Sequence, residues 1–212
     1  MATPPNLPKL DYDDIAKRLL GKNAQDFLSA CSEVAKSALP PYIPADFYQA
    51  DDIVLKPCSE FVQCGKDVDE EQPVIVEFVR LKGKQCMAIT WENAIRLIKN
   101  TNNQAEKDDI NVNMLALLTM FTTSMDKDGL NPTSLLTDFW NWLVECLESN
   151  HQDIKLWGHI FLRNLLRNDK AKAYLAKRDD ILTLLVSNIP HSNHILASAA
   201  LGCLVNAANN DV

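Results

Sequence analysis

An internal repeat is the feature that most constrains how this chain folds. Residues 139–169 align with residues 181–211 without a gap, at a spacing of 42 residues, and six of the 31 aligned positions are identical. The apolar columns mostly agree between the two copies, as Phe139 does with Ile181. Such a unit cannot bury its apolar side alone. The repeat therefore predicts helical units that stack on one another around a continuous core.

Apolar residues recur at helical spacing through most of the chain and predict an all-α fold. A first helix is expected to end at Gly21. The stretch that begins at Pro73 is rich in Val and Ile and could form a strand, but proline as a first helical residue and Gly83 as a stop favour a helix. Thr90 is an available internal cap in the next helix, and residues 101–109 are expected to be a polar loop.

A third, partial copy of the repeat lies upstream, where residues 110–125 fall on the columns of the last helix. The helix expected to pair with it, "WENAIRLIKN", ends a few residues earlier than in the other copies, and a longer loop at 101–109 would account for the difference. The predicted organisation is a flexible lead-in at 1–9, an irregular helical N-terminal cap at 10–72, and about three repeats at 73–212, of which the first is partial.

Residues 181–208, "ILTLLVSNIPHSNHILASAALGCLVNAA", resemble an armadillo repeat. The family pattern has paired leucines in its second helix, a polar turn, and a third helix reading small-Leu-x-x-Leu-x-Asn-apolar-Ala, which here runs from Ala200 to Ala208. The upstream copy keeps Leu162 and Asn164 but places His159 where an apolar residue is expected. The resemblance implies an α-solenoid of armadillo-like repeats with an extended concave surface.

The same resemblance implies which residues bind a partner. In armadillo proteins the asparagine of the third helix holds the backbone of an extended peptide in the concave groove, which here implicates Asn164 and Asn206, while Thr122 interrupts the series. Ile160 stands where importin-type grooves place a tryptophan. The alternative is that these asparagines bridge adjacent helices or cap backbone carbonyls.

Two arginines extend this candidate site. Arg163 and Arg167 lie near Asn164 in the sequence and could form a basic spot that receives an acidic ligand through forked hydrogen bonds, or they could simply be solvated surface residues. The tryptophans at 140, 142 and 157 are expected in the core, since large aromatic side chains dominate burial where helices stack.

Composition narrows the classes of function. Acidic residues outnumber basic ones by 28 to 21, which argues against nucleic acid as a partner. No apolar stretch approaches the length of a membrane span, and six cysteines without a CxxC pair are typical of a reduced cytoplasmic or nuclear protein. His191 and His194 lack further ligands at metal-binding spacing, and neither a phosphate cradle nor a catalytic motif is present. We therefore expect no metal, no cofactor and no enzymatic activity.

The sequence thus predicts a protein-binding scaffold or adaptor whose partner is an extended peptide, a helix or a small GTPase lying along residues 110–211. Three alternatives stay open: a regulator of small GTPases, because residues 186–211 are similar to armadillo-built dissociation stimulators; a structural subunit of a larger assembly; and an enzyme with a site hidden between helices. The apolar last helix also predicts a neighbour, which could be the N-terminal helices, a second copy in a homodimer, or the next unit of a longer repeat array.

Overall fold

The computed structural model describes residues 10–38, 73–82, 86–124 and 137–208, and all regular elements in these ranges are α-helices. The predicted lead-in and most of the predicted N-terminal cap, residues 39–72, lie outside the described residues. In chain order the helices are α1 (Tyr12–Leu19), α2 (Ala24–Ala38), α3 (Pro73–Lys82), α4 (Cys86–Asn100), α5 (Gln104–Ser124), α6 (Thr137–Glu148), α7 (Gln152–Leu165), α8 (Asp169–Leu175), α9 (Asp179–Asn188) and α10 (His194–Ala208).

Both ends of α1 are capped by side chains. Asp11 Oδ1 accepts hydrogen bonds from the backbone nitrogens of Asp13 and Asp14 at 3.1 and 3.0 Å, which satisfies donors that the first turn leaves open. At the other end, Asn93 Nδ2 of α4 donates to the carbonyl oxygens of Leu19 and Gly21 at 2.6 and 3.0 Å. The predicted end of this helix at Gly21 is confirmed, and α4 fixes the position of that end.

Three local predictions are decided by the structure. The Val- and Ile-rich stretch from Pro73 forms helix α3, as predicted. The polar loop expected over 101–109 is wrong for most of its length, because α5 begins at Gln104. Asn103 Oδ1 accepts from the backbone nitrogen of Ala105 at 3.1 Å, and the following residues have high helix propensity. Thr90 lies buried inside an unbroken α4 and is not a cap there.

The described helices pack in two layers. The long helices α2, α5, α7 and α10 lie side by side in that order, and each carries a shorter helix: α1 on α2, α4 on α5, α6 on α7 and α9 on α10. Helix α3 packs against α1, α2 and α5, and α8 packs against α9. The apolar core runs between the layers along the whole series, from Ile15 in α1 to Cys203 in α10.

Helix boundaries in the second half of the chain follow the predicted period. Helices α6 and α9 begin 42 residues apart, at Thr137 and Asp179, and helices α7 and α10 begin at Gln152 and His194, again 42 residues apart. Phe139 of α6 and its equivalent in α9 are both fully buried. The helix starts of the two pairs therefore follow the same 42-residue period as the sequence.

Aromatic side chains fill the core where α4, α6 and α7 meet. Phe139 lies at the centre, with ring centroids 5.4 Å from Trp91, 6.0 Å from Trp140 and 6.0 Å from Phe161. Trp140 in turn stacks on Tyr174 of α8, at 4.3 Å between centroids and 17° between planes. The prediction that the tryptophans at 140, 142 and 157 belong to the core is confirmed.

Candidate partner-binding site

Asn206, one of the two asparagines that the sequence assigns to partner binding, forms a hydrogen bond within the protein. Its amide Nδ2 donates to the carbonyl oxygen of Arg163 at 2.8 Å, which links α10 to α7. This carbonyl belongs to the last turn of α7, where backbone acceptors lack intrahelical donors. The bond is of the kind expected if this asparagine bridges adjacent helices and caps a backbone carbonyl. It uses one of the two amide hydrogens.

The other residues assigned to the groove are buried or bonded within the protein. Asn164 and Ile160 are each only 3% exposed, so neither reaches a partner while α7 and its neighbours stay packed. The Thr122 hydroxyl donates within α5, with the carbonyl oxygens of Leu118 and Thr119 at 2.9 and 2.8 Å. Asn164 and Ile160 therefore lie in the packing between helices, whereas Thr122 bonds within α5, and the assignment of all three to a peptide groove stays a prediction.

The two arginines lie nearer the surface. Arg163 is partly exposed, and its aliphatic stem crosses Gly202 of α10 so closely that a Cβ at Gly202 would lie 2.7 Å from Arg163 Cδ. Arg167, one turn further along, is exposed. Glycine at 202 thus lets α10 approach α7 beneath a long side chain, and Arg167 is the most exposed residue of the predicted site.

His159 occupies the apolar position of the repeat without exposure to solvent. Its Nδ1 lies 2.7 Å from the carbonyl oxygen of Lys155 and its Nε2 lies 3.4 Å from Asn188 Nδ2 in α9. If Nδ1 donates to the carbonyl, Nε2 accepts from the amide, an arrangement that suits a neutral ring. Burial lowers the pKa of His159 from 6.5 to about 4, so the ring is neutral at physiological pH.

The described thiols and the histidines of the last turn also have structural roles. Burial raises the pKa of the thiols of Cys31, Cys146 and Cys203 well above the usual range, which disfavours the reactive thiolate. His191 Nδ1 accepts from the backbone nitrogen of Asn193 at 3.0 Å, which stabilises the turn before α10.

The part of the chain that the structure describes holds no group of three or more potential ligands placed for a metal ion. It also contains no helix with the length and low polarity that spanning a bilayer requires.

The last two helices leave apolar side chains in solvent. We call this the terminal surface, and it consists of Val186, Ile189, Leu201 and Val205. Leu201 and Val205 are 51% and 49% exposed. Sequence analysis identified the apolar character of α10 but not which of its residues are exposed.

A cleft between α4 and α6 is the second accessible feature, and sequence analysis missed it. Its volume is about 560 Å³. Its lining combines aromatic and aliphatic side chains with carboxylates: Trp91, Glu92, Ile95, Ile98, Lys99, Asp138, Asn141, Trp142 and Glu145. Spacing along each helix places these residues on one face, but only the packing of α4 beside α6 brings the two faces together.

Comparisons with known proteins do not indicate a function for this chain. No protein-family model, no curated protein and no solved structure matches this chain.

Proposed function

We propose that this protein is a non-enzymatic scaffold that binds a protein partner through stacked armadillo-like helix pairs, with the terminal surface as the main contact. The partner's helix packs on α10 as α10 packs on α7. The proposal keeps the function expected from the sequence and moves the contact from the asparagine column to the exposed face of the last repeat. A helix pair that resembles its neighbour presents a similar face to whatever follows it.

A comparison between equivalent positions of the two repeats carries the proposal. Leu201 is half exposed, whereas its equivalent His159, 42 residues earlier, is fully buried by α9 and α10. Val205 is half exposed, whereas its equivalent Arg163 lies against Gly202 and its carbonyl accepts from Asn206. The positions of α7 that pack against α10 are therefore equivalent to positions of α10 that are exposed to solvent.

The composition of α10 indicates what kind of surface fits it. Apart from His194, the residues His194–Ala208 include no ionisable side chain other than the buried Cys203, and small residues such as Ala197 and Ser198 adjoin the exposed Leu201. A surface of this kind offers close apolar packing and no charge pairing, so its partner is an apolar helix face rather than a charged loop.

The test is affinity purification with mass spectrometry on wild type and a Leu201→Glu plus Val205→Glu variant. Both residues are half exposed, so the folded state tolerates the charges, and circular dichroism with thermal unfolding verifies this. We expect the variant to lose specific partners, because burying two unpaired carboxylates in an apolar interface is unfavourable. Light scattering on the purified chain shows whether one of the lost partners is a second copy.

A matched control carries the same change elsewhere. Leu20 and Ile89 are 45% and 47% exposed on α1 and α4, so Leu20→Glu plus Ile89→Glu adds equal charge at equal exposure. The control variant should keep the partners that the terminal variant loses. If the terminal variant is folded and keeps every partner, the terminal surface is not the contact. If Asn164→Ala plus Asn206→Ala then loses them, the asparagine column is.

A further inference from the structure

The cleft between α4 and α6 has an aromatic wall that is fixed before any ligand arrives. Trp142 Nε1 donates to Asn111 Oδ1 of α5 at 2.9 Å, which sets the orientation of its indole ring. The Trp91 ring meets Phe139 edge to face at 5.4 Å and lies 6.1 Å from the Trp142 ring. Because these rings are already ordered, a ligand that packs on them does not have to immobilise them.

Charge in the cleft is predominantly negative. Glu92, Asp138 and Glu145 contribute three exposed carboxylates to the lining, against the single ammonium group of Lys99. None of these carboxylates forms an ion pair with another residue in the described ranges. Unlike the carboxylates of Asp14 and Asp180, which are paired with arginines, they are available to a ligand of opposite charge.

We propose that this cleft binds an arginine side chain carried by a partner protein. The aliphatic stem packs against Ile95, Ile98 and the parts of the indole rings that line the cleft, where Trp91 and Trp142 are 6% and 7% exposed, and the guanidinium lies among the carboxylates. Arginine suits this lining better than lysine, since its planar group bonds a carboxylate in a forked geometry. An acidic segment would meet three like charges and be excluded.

This proposal is independent of the terminal surface. The cleft lies between α4 and α6, whereas the terminal surface lies on α9 and α10 and is apolar. The two proposals rest on different residues and are tested with different variants, so either can fail while the other holds.

Indole signals of the full chain provide a test with internal controls. The chain has four tryptophans, and Trp91 and Trp142 line the cleft whereas Trp140 and Trp157 do not. The ¹⁵N-labelled protein is titrated with the blocked tripeptide acetyl-Ala-Arg-Ala-amide to about 5 mM, the range suited to an affinity of about 4 kcal/mol. We expect saturable shifts of the Trp91 and Trp142 indole signals, with Trp140 and Trp157 unchanged.

A neutral peptide separates charge from shape. In acetyl-Ala-citrulline-Ala-amide the guanidinium is replaced by an uncharged group of nearly the same size and planarity. We expect its affinity to be at least about tenfold weaker, which corresponds to about 1.4 kcal/mol. Equal shifts with both peptides would show an apolar groove without selectivity for a cation and would overturn the proposal, as would no shift of the Trp91 and Trp142 signals or equal shifts of all four indoles.

Variants of matched charge exclude a general effect of the net charge of −7. Glu92→Gln plus Glu145→Gln removes two carboxylates from the cleft, and Asp26→Asn plus Asp179→Asn removes two exposed carboxylates from α2 and α9. We expect the cleft variant to bind the arginine peptide about tenfold more weakly and the control variant to bind it within about twofold of wild type. An equal loss in both variants would assign the binding to net charge and refute the site.

Discussion

Replacement of His159 by leucine should remove a pH-dependent part of the stability of this protein. The ring is fully buried between α7 and α9, and burial lowers the pKa of His159 to about 4. The charges of Lys155 and His191 also lower this pKa, whereas the bond to the Lys155 carbonyl opposes the shift. In the unfolded chain the same ring titrates near its ordinary pKa of about 6.5.

The sign and the size of the effect follow from these two pKa values. Between pH 6.5 and pH 4 the unfolded chain binds a proton that the folded protein does not, so the free energy of unfolding falls as the pH falls through this window. Above pH 6.5 both states carry a neutral ring and His159 contributes no pH dependence. At a pH of about 5 the loss amounts to about 2 kcal/mol relative to a pH of about 7.5.

Urea denaturation of wild type and His159→Leu at these two pH values measures the effect. Leucine stands at the equivalent position 201, and Asn188 Nδ2 keeps a hydrogen bond to the Leu184 carbonyl at 2.9 Å, so the substitution does not leave this amide unpaired. Wild type should lose about 2 kcal/mol more than the variant on acidification, because all other titrating groups are common to both. If the two proteins lose the same free energy, His159 is not held neutral by burial.

Three further predictions concern the contacts between helices and the buried thiols. Gly202→Ala should be neutral or destabilising in wild type, because the new Cβ meets Arg163 Cδ, but stabilising by about 0.5–1 kcal/mol in an Arg163→Ala background, where helix propensity alone acts. Urea denaturation of wild type, the two single variants and the double variant measures this, and additive effects on the free energy of unfolding would contradict the contact. Asn206→Ala should lower the free energy of unfolding by about 1 kcal/mol because the Arg163 carbonyl loses its donor, and an unchanged value would show that the amide does not join α10 to α7. At neutral pH, maleimide followed by peptide mass mapping should leave three cysteines unlabelled until the protein unfolds, and labelling in the folded state would contradict their burial: Cys31, Cys146 and Cys203.

Sequence reasoning predicted those parts of the fold that depend on apolar periodicity. Pro73 as a first helical residue and Gly83 as a stop indicated that α3 is a helix, and the apolar columns indicated the 42-residue spacing at which the later helix pairs begin. The polar segment before α5 was misassigned as a loop. Its polar residues are also good helix formers, and the cap at Asn103 decides between the two states.

The candidate sites were predicted less well because polar side chains choose partners in three dimensions. The sequence alignment places Asn164 and Asn206 at equivalent positions, but periodicity does not tell whether an amide faces a groove or, as for Asn206, the carbonyl of a neighbouring helix. The cleft beside Trp91 lies outside the 42-residue register, since α4 ends early relative to the later copies. Only the contact between α4 and α6 reveals it.

The serial order of the long helices has a consequence for how the protein loosens. Because α10 packs mainly against α7 and α9, it can detach without disturbing the contact of α5 with α7. Backbone amides of α10 should then exchange with deuterium faster than those of α5, in a gradient along the series. Each such opening would transiently expose the imidazole of His159 and the carbonyl oxygen of Arg163 to water, because α10 covers both in the packed state.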